Sequence, residues 1–137
     1  MIKLSIETDK NGLFEITEPI CSAIEQSGIK SGIASIWIPH TTAGITVISR
    51  TDELGFEDIE DEIKRLIPTR TDFKHQFDTP TDAAGHIKCS LIGNSAALII
   101  EDGKVQMGGS QGIFFFEFDG PRKREYWLQI VGKEGQS

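Results

Sequence analysis

Cysteine is scarce in this chain: Cys21 and Cys89 are the only two, and no CxxC pairs them. That spacing excludes a zinc knuckle or a thioredoxin-type redox motif. No apolar run approaches the length of a membrane span, and the opening MIKLSIETDK alternates polar and apolar residues where a signal peptide would be continuously apolar. The expectation is a cytoplasmic chain with both thiols reduced. GxGxxG and P-loop patterns are missing, and there are no repeats or low-complexity segments. Positive charge is short as well: Lys and Arg total 14 against 21 for Asp and Glu, a formal net charge of −7. A basic face for nucleic acid or an anionic membrane surface is therefore not expected. A small phosphorylated ligand stays compatible, because a local Arg or Lys cluster or backbone N–H groups can hold one in an acidic protein.

What is present suits one globular domain over residues 1–137, with 38% hydrophobic and 26% charged residues. Ile2, Leu4 and Ile6 alternate with polar residues as in a half-buried strand, and Asn11-Gly12 reads as a turn returning Leu13–Ile16 as a hairpin arm. Thr17, Glu18 and Pro19 form a helix start with Thr17 as the cap, and Gly28 suits its stop. Residues 33–38 and 45–48 read as strands, and 52–67 as an amphipathic helix with a dense acidic face. Residues 69–79 carry no clear period. A third helix is predicted from Thr79, Thr81 or Asp82 to about Leu91, then a strand over 96–101, an Asp102-Gly103 hairpin turn and a return arm over 104–107. Residues 113–118 and 126–131 read as strands, with a frayed tail from Gly132. Strands joined by tight turns at both ends, with about three helices between them, predict a single α+β domain of mostly antiparallel strands.

Three places could carry chemistry. His40 heads HTTAG just past a predicted strand, where loops present functional groups. Thr41 and Thr42 add hydroxyls, and Gly44 would let backbone N–H groups approach a ligand; the same five residues also describe a turn that satisfies its own backbone. His86 follows Asp82 by four residues on a helix, a spacing that orients an imidazole and equally describes a surface pair. Cys89, one turn beyond His86, reads as a small buried residue. His75 lies in the irregular stretch, and the three histidines match no local zinc motif. Finally, QGIFFFEFDGPRKR at 111–124 places Glu117 and Asp119 two apart in a strand, with Phe116 and Phe118 opposite, ahead of the one concentrated run of positive charge. Arg122 suits a carboxylate or phosphate. Cross-strand ion pairs in a hairpin would explain the same pattern.

HTTAG at 40–44, GHIKCSLIG at 85–93 and QGIFFFEFDGPRKR at 111–124 resemble the YjbQ family of small bacterial and archaeal proteins, also described as secondary thiamine-phosphate synthases. The resemblance spans nearly the whole chain. It implies a compact α+β fold, assembly as a homotrimer, and a polar pocket lined by His40, His86, Gln111, Glu117, Asp119 and Arg122. It also implies a divalent cation, zinc or magnesium, at His40, His75 and His86. Three positions depart from the family's pattern: Ser49 stands where Glu is usual, Ser110 where Trp is common, and DAAGH keeps an acid only at Asp82 before His86. The activity implied is the joining of a pyrimidine diphosphate to a thiazole phosphate with release of pyrophosphate. In that reaction His40, His86, Glu117 and Asp119 would be catalytic, and Thr41, Thr42, Gly44, Gln111 and Arg122 would bind substrate. The alternative is a trimeric module that binds a metal or a phosphorylated metabolite without turning it over.

Overall fold

A computed structural model describes residues 1–74 and 79–135. Its elements, in chain order, are β1 (Ile2–Thr8), β2 (Gly12–Glu15), α1 (Thr17–Ser27), β3 (Ile29–Trp37), β4 (Ala43–Ser49), α2 (Glu53–Leu66), α3 (Pro80–Ile92), β5 (Ser95–Glu101), β6 (Lys104–Val105), β7 (Gln111–Glu117) and β8 (Arg122–Glu134). Every strand pairing is antiparallel. A five-stranded sheet runs in the order β1-β8-β3-β5-β6, and a three-stranded sheet in the order β2-β7-β4. The expected fold class, α+β with mostly antiparallel strands and three helices, is what forms.

The core lies between the sheets. Ile45, Ile113 and Phe115 of the small sheet meet Ala34, Ile36, Leu98, Tyr126 and Leu128 of the large one, with Ile20 and Ile24 of α1 in the same cluster. Phe115 and Tyr126 bridge the sheets at a ring separation of 6.4 Å. Strand β7 reads as an unbroken apolar run because it is the central strand of its sheet and is buried on both faces. Phe114 faces away from the core and packs on Phe56 of α2, ring centroids 5.0 Å apart. α3 lies against β4.

Two helices begin on side-chain caps, and of these Thr79 is one of the expected candidates. The Asp52 carboxylate accepts from the Leu54 N–H at 3.0 Å, and the Thr79 hydroxyl accepts from the Asp82 N–H at 3.1 Å. α1 does not: Ile16 occupies its cap position, and Thr17 is drawn into the core, where its hydroxyl accepts from the Ile113 N–H at 2.9 Å and donates to Glu15 at 2.8 Å.

Other expectations are corrected. β1 and β2 do not form a hairpin, because β1 pairs with β8 and β2 with β7 in the other sheet. The chain is not frayed from Gly132, since β8 runs on beside β3 to Glu134. β6 is two residues long, shorter than the predicted return arm. Asp119 lies beyond the end of β7, and Gly120-Pro121 leads from one sheet to the other rather than around a hairpin.

Candidate functional site

The start of β4, the first half of α3 and the link between β7 and β8 meet at one corner. The Phe118 N–H donates to the Thr42 carbonyl at 3.1 Å. Gly85 of α3 sits so close that a Cβ there would lie 3.2 Å from Thr42 Cβ and 3.4 Å from the Phe118 carbonyl. The corner therefore brings together Thr42, Gly44, Glu117 and Asp119, with Thr41 beside them and Arg122 bonded to Asp119; His40 and Arg122 border different concavities that have only Glu7 and Lys123 in common, and His86 borders a third. Gln111 is not among them. It begins β7, six residues and roughly 20 Å of strand from Glu117, pairs with Ser49, and accepts from the Gly108 N–H at 2.8 Å. His75 lies outside the described residues.

At the centre is a buried ion pair. Glu117 is 0% exposed and Arg124 5%. Arg124 Nε donates to Glu117 Oε1 at 2.8 Å, and its Nη2 donates to Oε2, to the Thr42 hydroxyl at 2.9 Å and to the Thr42 carbonyl at 3.3 Å. The carboxylate also accepts from the Thr8 hydroxyl at 2.7 Å and from the N–H groups of Phe118 and Asp119 at 3.1 and 3.2 Å. Burial alone would raise the Glu117 pKa; the Arg124 and Thr8 donors and the Asp119 N–H outweigh it and hold the carboxyl below its ordinary range. Gly120 passes so near that a Cβ would lie 2.8 Å from Glu117 Cγ and 3.0 Å from the Thr8 hydroxyl.

This geometry changes the expected roles of three residues. Glu117 has no exposed surface, and its oxygens are committed to five internal donors, so it cannot touch a substrate while the pair is closed. Thr42 is likewise occupied by Arg124. Gly44 does not open the backbone to a ligand: a Cβ there would lie 2.6 Å from the Gly93 carbonyl oxygen, and the Ile45 N–H donates to that same oxygen at 3.1 Å. Its glycine serves the seating of α3 on β4.

Other groups of the corner face solvent. Arg122 is exposed, with Nη2 on Asp119 Oδ2 at 2.6 Å and Nε on the Asp119 carbonyl at 2.8 Å. This grip on the largely buried Asp119 fixes the guanidinium plane and uses Nε and Nη2. Thr41 is exposed. His40 Nε2 accepts from the Glu125 N–H at 2.9 Å, which makes it the lone-pair nitrogen and leaves the ring proton on Nδ1. Burial, with the nearby Arg124 charge, holds the imidazole below its ordinary pKa.

The two described histidines line different cavities. His40 borders an open concavity of about 580 Å³ with Ser5, Ile6, Glu7, Lys123, Arg124 and Glu125. His86, whose Nε2 lies 3.2 Å from Asp82 Oδ2, borders another of about 590 Å³ with Arg70, Asp72, Phe73, Lys74, Ala83 and Ile87. Among the described residues no three His, Cys, Asp or Glu side chains cluster so as to hold a metal ion. Cys89 turns to the Ala43 carbonyl, 3.2 Å from its sulfur, and burial raises its pKa.

Sequence reasoning missed the part played by Thr8 and Arg124. The signal was in β8: Tyr126 and Leu128 point inward at every second position, and the same alternation carried back reaches Arg124.

Comparison with known proteins assigns a family to this architecture. The family model described as UPF0047 protein YjbQ-like matches residues 2–133. The UPF0047 protein MJ1081 of Methanocaldococcus jannaschii is 47% identical over 133 residues, covering 96% of this chain and 94% of that protein. YugU of Bacillus subtilis is 36% identical over 132 residues, covering 94% and 97%. A crystal structure of an uncharacterized YjbQ/UPF0047 protein from Clostridium acetobutylicum superposes with a TM-score of 0.88 at 37% identity, covering 96% of this chain and 100% of that one. A protein of unknown function from Sulfolobus solfataricus gives 0.90 at 30% identity, with 96% of each covered. The chain belongs to the YjbQ/UPF0047 family.

Proposed function

We propose that this protein is a small-molecule enzyme that handles phosphorylated metabolites at the His40–Arg122 corner, with the thiamine-phosphate synthase reaction as its most concrete form. The observation that carries the reading is the presentation of Arg122. Its guanidinium is exposed, oriented by two bonds to Asp119, and keeps a free edge among the described residues. A planar fork held this way matches two oxygens of a phosphate.

In the coupling reaction the thiazole nitrogen attacks the methylene carbon of the pyrimidine diphosphate. The C–O bond breaks, and its electron pair leaves with pyrophosphate. No proton need move, so the work required is stabilisation of charge on the leaving group. Arg122 and the exposed Lys123 supply positive charge, His40 offers its Nδ1–H to a phosphate oxygen, and Thr41 adds a hydroxyl. Glu117 and Asp119 act one step back, by fixing Arg124 and Arg122. His86 borders another cavity, where Lys74 and Arg70, the latter stacked over the Phe73 ring at 4.8 Å, bring two cations toward a phosphate group.

The cation that the family resemblance implies does not fit the described donors as a shared site: His40 Nε2 is taken by the Glu125 N–H, and His86 borders a different cavity. Elemental analysis of untagged protein and of His75→Ala measures whether zinc or magnesium is held there.

The non-catalytic alternative has one observation in its favour: the corner's most buried carboxylate is fully engaged and unavailable as a base. Release of pyrophosphate from the two substrates separates the readings. The enzymatic reading expects turnover by the wild type and at least a hundredfold loss in folded Arg122→Ala. Equal turnover by that variant overturns the clamp, and tight substrate binding with no turnover favours the binding module.

A homotrimer fits one further feature. On the large sheet Ile33 is flanked by Ile99 and Val131, and Trp37 pairs with Trp127. Ile33, Trp37, Ile99 and Val131 are exposed, an apolar face suited to burial against other copies.

A further inference from the structure

Strand β3 ends at Trp37, opposite Trp127, while β8 reaches back to Arg122. The Glu125 N–H therefore lies beyond the end of β3, and His40 Nε2 takes it instead. The concavity beside His40 opens on the outer face of the large sheet. Glu7, Ser5, Lys123 and Glu125 border it, and all four are exposed, alternating on β8 with the buried Arg124 and Tyr126. Every bordering residue belongs to β1 or β8 or is His40 itself, so the space has a floor and one side. Among the described residues nothing roofs it.

The exposed apolar row of the protein stands on this same face. Trp127 lies two residues along β8 from Glu125, to whose carboxylate its indole N–H donates at 3.3 Å. Trp37 is directly opposite Trp127, and Ile33, Ile99 and Val131 follow at the far end. Concavity and apolar row are thus one continuous surface, and whatever covers the row also reaches over His40.

Two features point to a second copy of this chain as the cover. The chain as a whole carries −7, which sets copies against each other, yet at this end of the face Lys3 and Lys123 balance Glu7 and Glu125. The area also suffices. At a strand spacing of about 4.8 Å and a rise of about 3.4 Å per residue, the five strands present roughly 600 Å². Two copies covering such a face would bury about 1,200 Å², above the roughly 1,000 Å² that a specific contact needs.

We infer that the His40 concavity is a site shared between two copies of this chain: the neighbour seated on the large sheet roofs it, and a phosphate group is held between them. The inference rests on the proposed reading of that face as a contact between copies and of the ligand as a phosphate.

The test uses Ile33→Lys and Val131→Lys, exposed positions in the row six residues along β8 from Glu125, roughly 20 Å away, and therefore out of reach of the ligand. Sedimentation equilibrium gives the mass, calorimetry the binding of inorganic pyrophosphate, and peptide mass the labelling of His40 by diethyl pyrocarbonate. The expected result is an assembled wild type and two folded monomers that bind pyrophosphate at least tenfold more weakly and label at His40 at least fivefold faster. A monomeric wild type, variants that stay assembled, or monomers that bind as tightly as the assembly each overturn the inference. If no form binds pyrophosphate, the phosphate reading fails, and equal His40 labelling in assembly and monomer then overturns the shared site by itself.

Discussion

The Arg124 guanidinium grips both oxygens of the Glu117 carboxylate while its Nη2 also holds the Thr42 hydroxyl, so one buried arginine ties together β8, the end of β7 and the start of β4. Both partners are shielded from solvent. Removing one leaves the other charged, buried and uncompensated, so Glu117→Gln is expected to cost about 3–5 kcal/mol of stability. Replacing both residues by apolar ones of similar volume is expected to cost far less. Urea unfolding of the single and double variants measures the coupling; additive losses would show that the pair does not act as a unit.

Stability should fall in two steps on acidification. The His40 pKa is lowered on folding, so below the ordinary imidazole value of about 6.5 the unfolded chain binds a proton that the folded one does not. The contribution from neutral His40 is complete above that pH and is lost as pH drops through the folded value. Glu117 is also lowered, so its contribution is present above the ordinary carboxyl value of about 4.3 and is lost as pH falls through its folded pKa. Denaturant midpoints from pH 8 to pH 3 should show both losses, and His40→Gln should remove the upper one alone.

Gly44 separates a packing role from a ligand role. Because a Cβ at this position meets the Gly93 carbonyl at 2.6 Å, Gly44→Ala should destabilise the fold by about 1–3 kcal/mol, a typical cost of overpacking. Binding of pyrophosphate by the fraction that stays folded should be unchanged. A variant of full stability with lost binding would restore Gly44 to the ligand site.

The exposed row on the large sheet predicts the behaviour of Ile33→Lys. A charge between Ile99 and Val131 should turn an assembly into monomers, read by sedimentation equilibrium, with little effect on the monomer's own stability. An unchanged mass would place the contact between copies elsewhere.

Much of the fold was legible because its signals are local. The apolar face of α2, the Thr79 cap and the Asp102-Gly103 turn each act within a few residues. Strand partnership is not local. Residues 2–6 alternate equally well whether β1 pairs with β2 or with β8, and only the assembled core decides. The same limit held at the site. The sequence brought forward Glu117, Asp119 and Arg122, and Arg122 indeed meets Asp119. That Glu117 would be consumed by Arg124 depends on the two sheets meeting at Gly120. Gln111 shares a motif with Glu117, yet the length of β7 carries the two to opposite ends of the strand.

The central claim is that the His40–Arg122 corner binds phosphate groups. Calorimetric titration of inorganic pyrophosphate into the untagged protein, into Arg122→Ala and into His40→Ala tests it most directly. The account predicts saturable binding by the wild type, weakened at least tenfold in Arg122→Ala and measurably in His40→Ala, with all three proteins folded. Equal binding by the three, or none by the wild type, would contradict it.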